Sequence, residues 1–62
     1  MSVVALSDLT AQPNWGIFPV VAGTRGLVLE TAGFSDDDVR VRFAHNGEYV
    51  EDWFESADWS PF

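Results

Sequence analysis

The stretch Gly23-Thr24-Arg25-Gly26-Leu27-Val28-Leu29-Glu30 decides the fold. Two glycines three apart suit a tight turn, because glycine adopts positive φ without steric cost. The turn feeds a β-rich run from Leu27 to Thr31. A second run, Val39-Arg40-Val41-Arg42-Phe43, answers it. There Val39, Val41 and Phe43 point one way and Arg40 and Arg42 the other, the period of a half-buried strand. Between the two runs, Ala32-Gly33-Phe34-Ser35-Asp36-Asp37-Asp38 reads as a polar connection.

Working outward, Asn46-Gly47 is a strong short-range hairpin signal, since both residues accept the left-handed region. Tyr49 to Phe54 is the expected returning strand. The same residues also fit a helix, with Tyr49, Val50, Trp53 and Phe54 on one face and Glu48, Glu51, Asp52 and Glu55 on the other. Aromatic and β-branched content behind an Asn-Gly start favours the strand. Ser56-Ala57-Asp58-Trp59 reads as one helical turn, and Ser60-Pro61-Phe62 as a short last strand. At the other end, Val3-Val4-Ala5-Leu6 reads as a first strand. From Ser7 to Pro19 there is no clean period. Pro13, Asn14, Gly16 and Pro19 favour a long loop, tethered by Leu9, Trp15, Ile17 and Phe18 over one open end of the core.

The expected fold is therefore all-β: a small barrel of about five short antiparallel strands, with one helical turn near the C-terminus. The residues that carry it are Ala22-Gly23-Thr24-Arg25-Gly26-Leu27-Val28, Val39 to Phe43, Asn46-Gly47, and Ser56 to Phe62. From Ala22 onward this pattern resembles bacterial SH3-like and KOW-like modules, in which a Gly-Thr-x-Gly turn opens a strand and an Asn-Gly hairpin follows an alternating one. The resemblance implies a fold and not a chemistry, because this fold hosts unrelated functions.

With 62 residues the chain makes one domain, 1–62. A domain this small buries only about 60% of the surface its unfolded chain exposes. It has no cysteine, so disulfides and thiolate metal sites are excluded. Ten acids stand against three arginines, for a net charge of −7. All of that net charge lies after Leu29; from Ala44 onward there are five acids and no base. Such a field repels nucleic acids and anionic membranes and attracts basic surfaces. No apolar run approaches the ~20 residues of a membrane span. The N-terminus lacks the positive charge of a signal peptide, so a cytoplasmic protein is expected.

No catalytic constellation emerges. The only histidine, His45, sits with Glu48 and Asp52 at a spacing too generic for a metal site, and a surface position in the hairpin is expected. Asp36-Asp37-Asp38 lacks the register of a calcium loop. Gly23-Thr24-Arg25-Gly26 lacks the lysine and following helix of a phosphate loop. A non-enzymatic protein without cofactor or metal is the expectation.

The C-terminal third carries the binding expectation. Tyr49, Trp53, Phe54, Trp59 and Phe62 alternate with acids, and at least half of these aromatics are expected in the core. One reading is an acidic inhibitor or decoy whose carboxylates replace backbone phosphates on a basic partner, the nucleic-acid-binding surface of a protein or complex. Asp36, Asp37, Asp38, Glu48, Glu51, Asp52, Glu55 and Asp58 would make the contact, with Trp53 and Trp59 as anchors if exposed. In size and charge the chain is similar to small phage inhibitors, including anti-CRISPR proteins and DNA mimics. A second reading is a peptide-binding adaptor with Trp15 and Tyr49 lining a groove. A third is a self-associating domain, a homodimer that pairs through a sheet edge. Arg40 and Arg42 are expected to pair across strands with Glu30 or Glu51.

Overall fold

The alternating runs become strands with two unlike faces. The computed structural model describes residues 1–33 and 37–62. In chain order the strands are β1 (Ser2–Ala5), β2 (Leu9–Ala11), β3 (Phe18–Val20), β4 (Arg25–Ala32), β5 (Asp38–His45), β6 (Glu48–Glu55) and β7 (Trp59–Pro61). A single 3₁₀ turn, Ser56–Asp58, lies between β6 and β7. Tyr49 to Glu55 are therefore strand, and the helical alternative does not form. Trp59, expected at the end of the helical turn, opens β7 instead.

Five strands form one antiparallel sheet in the order β6-β5-β4-β1-β7. Its edges, β6 and β7, are not hydrogen-bonded to each other, so the sheet is curled but open among the described residues. The Asn46-Gly47 turn has positive φ at both residues, 50° and 82°, the geometry that matches strand twist. It fixes the β5–β6 register from His45 opposite Glu48 through to Asp38 opposite Glu55.

The expected long loop from Ser7 to Pro19 is a correction. It folds into a hairpin, β2 paired with β3, with Thr10 opposite Pro19. Three-residue strands are too short to show a period, and their stability comes from packing. Ala11 and Val20 are buried in the core, with Leu9 and Phe18 packed against it. The hairpin is fastened at two points by carboxylates: Asp8 Oδ1 accepts from the Ala22 amide and Asp52 Oδ2 from the Gln12 amide, each at 2.8 Å. Asp52 Oδ1 also accepts from its neighbour's amide, at Trp53. Asp52→Ala is expected to cost about 1 kcal/mol and to speed hydrogen exchange at the Gln12 amide more than elsewhere in the sheet. Unchanged protection at Gln12 would refute that fastening role.

The core joins Val3 and Ala5 of β1, Ala11 and Val20 of the hairpin, Val39, Val41 and Phe43 of β5, Val50 and Phe54 of β6, and Trp59. Phe43, Phe54 and Trp59 meet edge to face, with centroids 6.4 and 5.3 Å apart, the favoured arrangement of ring quadrupoles. Gly26 allows this packing: a Cβ there would lie 2.5 Å from Val41 Cγ1.

The β4–β5 register slips by one residue at Leu29. Val28 pairs with Val41, but Glu30 pairs with Arg40. This bulge moves Glu30 onto the face away from the core.

Candidate functional site

The outer face of the sheet follows from strand parity. Arg40 and Arg42 leave β5 opposite its core residues, so their cross-strand neighbours lie outward too. These are Trp53 and Glu51 on β6 and Glu30 and Leu27 on β4. Arg40 Nε contacts Glu30 Oε1 at 2.6 Å and Arg40 Nη1 contacts Glu51 Oε1 at 2.6 Å. Arg42 donates from Nε and Nη2 to Glu51 Oε2, at 3.0 and 2.9 Å. The arginine–glutamate pairs expected from the sequence thus form, linked as Glu30–Arg40–Glu51–Arg42. Their four charges cancel.

Exposed aromatic rings surround this network. Tyr49 is 73% exposed and Trp53 43%, while Arg42 lies 5.5 Å from the Tyr49 ring centroid. From the hairpin side, the loop between β2 and β3 brings Trp15, 60% exposed, with its ring against Phe18 at 4.7 Å. Trp15, Arg40, Tyr49, Glu51, Asp52 and Trp53 are among the residues lining a groove of about 530 Å³ between that loop and the sheet. Trp15 and Tyr49 are the two residues that the sequence suggested for a peptide groove, and both line this one. Trp53 joins them.

The acids do not converge. Glu51 is held between two arginines, and Asp52 accepts two backbone amides. Glu48 and Glu55 stand at opposite ends of β6, about 23 Å apart at the rise of an extended strand. Asp37, Asp38 and Glu55 gather at one end of the sheet around a shallow hollow with Ser56 and Ala57, while Asp58 is half-buried. Asp36 lies outside the described residues.

Of the five C-terminal aromatics, two are core. Phe54 and Trp59 are buried; Tyr49, Trp53 and Phe62 are exposed. That is fewer than the half expected, because outward parity on β6 belongs to Tyr49 and Trp53. Exposure, the condition for an anchor, holds for Trp53 and fails for Trp59, which is 5% exposed. The indole N–H of Trp59 is buried with no hydrogen-bond partner among the described residues, a cost of about 1–3 kcal/mol. His45 is half-buried in the hairpin, with Phe18 edge-on to its ring at 5.3 Å. Among the described residues no cluster of three potential metal ligands occurs, and no helix is long and apolar enough to cross a membrane.

No family model, no curated protein and no solved structure matches this chain. Its chemistry is therefore read from the outer face itself.

Proposed function

We propose that the chain is a non-enzymatic, SH3-like protein-interaction module that holds an extended peptide of another protein in the groove between the β2–β3 loop and the outer sheet face. One observation carries this reading: Trp15 from the loop and Tyr49 and Trp53 from the sheet, all exposed, line the same groove. Aromatic rings give large contact area for little lost rotamer freedom and dominate interface energetics. The neutral Glu30–Arg40–Glu51–Arg42 network holds the floor of the groove in place.

A random twelve-residue peptide library displayed on phage is the test. Recovered peptides are expected to lose at least tenfold in affinity when Trp15→Ala or Tyr49→Ala is introduced. They are expected to lose no more than about tenfold in affinity as salt rises from about 50 to 500 mM, because ring contacts are not screened. Peptides that bind the two variants like the wild type would overturn the groove.

A second reading rests on Asp37, Asp38 and Glu55, which are exposed and whose carboxylates have no hydrogen-bond partner among the described residues. On it the chain is an inhibitor whose acidic end covers a basic surface of a nucleic-acid-binding partner. Binding would then collapse with salt and fail on reversal of those three acids, with Trp15 and Tyr49 indifferent.

A further inference from the structure

We infer that the peptide held by this face carries an acidic side chain, seated between Arg25 and Arg42. The inference rests on the groove reading above and adds the charge that the ligand must bring.

The net charge of −7 points toward basic partners, but the outer face is where that rule fails. All three arginines of the chain lie on it. Arg40 and Arg42 do so by the parity of β5. Arg25 pairs opposite Val4, one residue from Gly26, whose own Cβ direction meets the core residues Val41 and Trp59. Adjacent residues of a strand face opposite ways, so Arg25 faces outward.

The two grooves adjoin at Tyr49. Arg25, Leu27, Arg42, Ala44 and Tyr49 line a second outer-face groove of about 330 Å³. Tyr49 also lines the first, so one ring forms the wall between them. A peptide lying over Trp53 and Tyr49 reaches Arg25 by continuing across the sheet. Strands lie about 4.8 Å apart, so two or three further residues suffice.

The arginines differ in what they have already spent. Arg40 is paired with two carboxylates. Arg42 gives Nε and Nη2 to Glu51, and its Nη1 has no partner among the described residues. Arg25 forms no ion pair among the described residues; its guanidinium carbon sits 4.0 Å over the Phe62 ring. Stacking leaves the planar edge of a guanidinium, with its fork of donors, open to a carboxylate. Asp38 and Glu55 share the parity of this face but stand at its far end; the groove beside Tyr49 is lined by Arg25 and Arg42 and by no carboxylate. Leu27 and Tyr49 line the groove beside Arg25 and offer apolar contact to the stem of the acid.

The same phage library, selected in parallel on wild type and on Arg25→Gln, decides the matter. Arg25 is exposed, and a matching thermal melt of the variant confirms its fold. Wild-type selections are expected to show Asp or Glu at a fixed spacing from the apolar consensus. Arg25→Gln selections should keep that consensus and lose the acid. A synthetic wild-type-selected peptide with its acid changed to the amide should bind wild type about tenfold more weakly and the variant no more weakly than the parent peptide does. An apolar consensus without an acid, or one with Lys or Arg there, overturns this inference and leaves the groove standing. Equal loss on both proteins from the amide change overturns it too. A library that yields no binder to wild type overturns both.

Discussion

Gly26→Ala is expected to melt roughly 10 °C below the wild type. The new methyl would lie 2.5 Å from Val41 Cγ1, 3.0 Å from the Arg42 carbonyl oxygen and 3.3 Å from Trp59 Cζ3. Val41 is fully buried and Trp59 nearly so, and the carbonyl belongs to the neighbouring strand, so none of the three retreats freely. Overfilling a packed core costs about 1–3 kcal/mol. In a domain of this size each kcal/mol lowers the melting point by about 4–8 °C. Total stability at 62 residues is only roughly 3–9 kcal/mol, so Gly26→Val should leave much of the population unfolded. Adding Val41→Ala removes the closest clashing carbon, and the double variant should lose less than the sum of its parts. Strict additivity, or a Gly26→Ala melt within about 2 °C of wild type by circular dichroism, would show that the strands separate here more easily than their geometry implies.

The second large effect is expected at Glu51. Its two oxygens are divided between Arg40 and Arg42, and all three side chains are about one-third exposed. Single exposed pairs are worth about 0.2–1 kcal/mol. Glu51→Gln should therefore cost about 1 kcal/mol, and Glu51→Lys about 2 by adding repulsion between like charges directly opposite in the sheet. Urea unfolding at low and high salt separates the terms. The gap between Glu51→Lys and wild type should narrow as salt rises, because these charges are partly screened. A Glu51→Lys protein as stable as wild type at low salt would mean that the network orders the face without stabilising it.

Much of this architecture is legible in the chain, because its strongest signals are local. Val39 to Phe43 shows its two faces by alternation alone. Asn46-Gly47 is a two-residue turn, so counting outward from it pairs Arg42 with Glu51 and Arg40 with Trp53. The β2–β3 hairpin leaves no such mark. Its strands are too short for a period, Pro19 argues against a ladder, and what holds it is the burial of Ala11 and Val20 against distant residues. The bulge at Leu29 is equally silent, since no residue type there announces it. Composition misleads about the acids. Counting carboxylates cannot reveal that Glu51 and Asp52 are consumed inside the fold. Trp15 and Tyr49 stand out as groove residues by type, but their meeting depends on how the hairpin lies against the sheet.

One surplus residue in an eight-residue strand governs which way its charge looks. Were Leu29 to enter the ladder opposite Arg40, β4 and β5 would run on in the earlier register, and Glu30 would turn inward against Val39. The carboxylate would then be sealed among hydrocarbon, and Arg40 would lose one of its two counterions. The electrical neutrality beneath the aromatic rings is thus a matter of where the ladder slips as much as of residue choice. A slip displaced beyond Glu30 would redistribute charge between inside and outside without changing any amino acid.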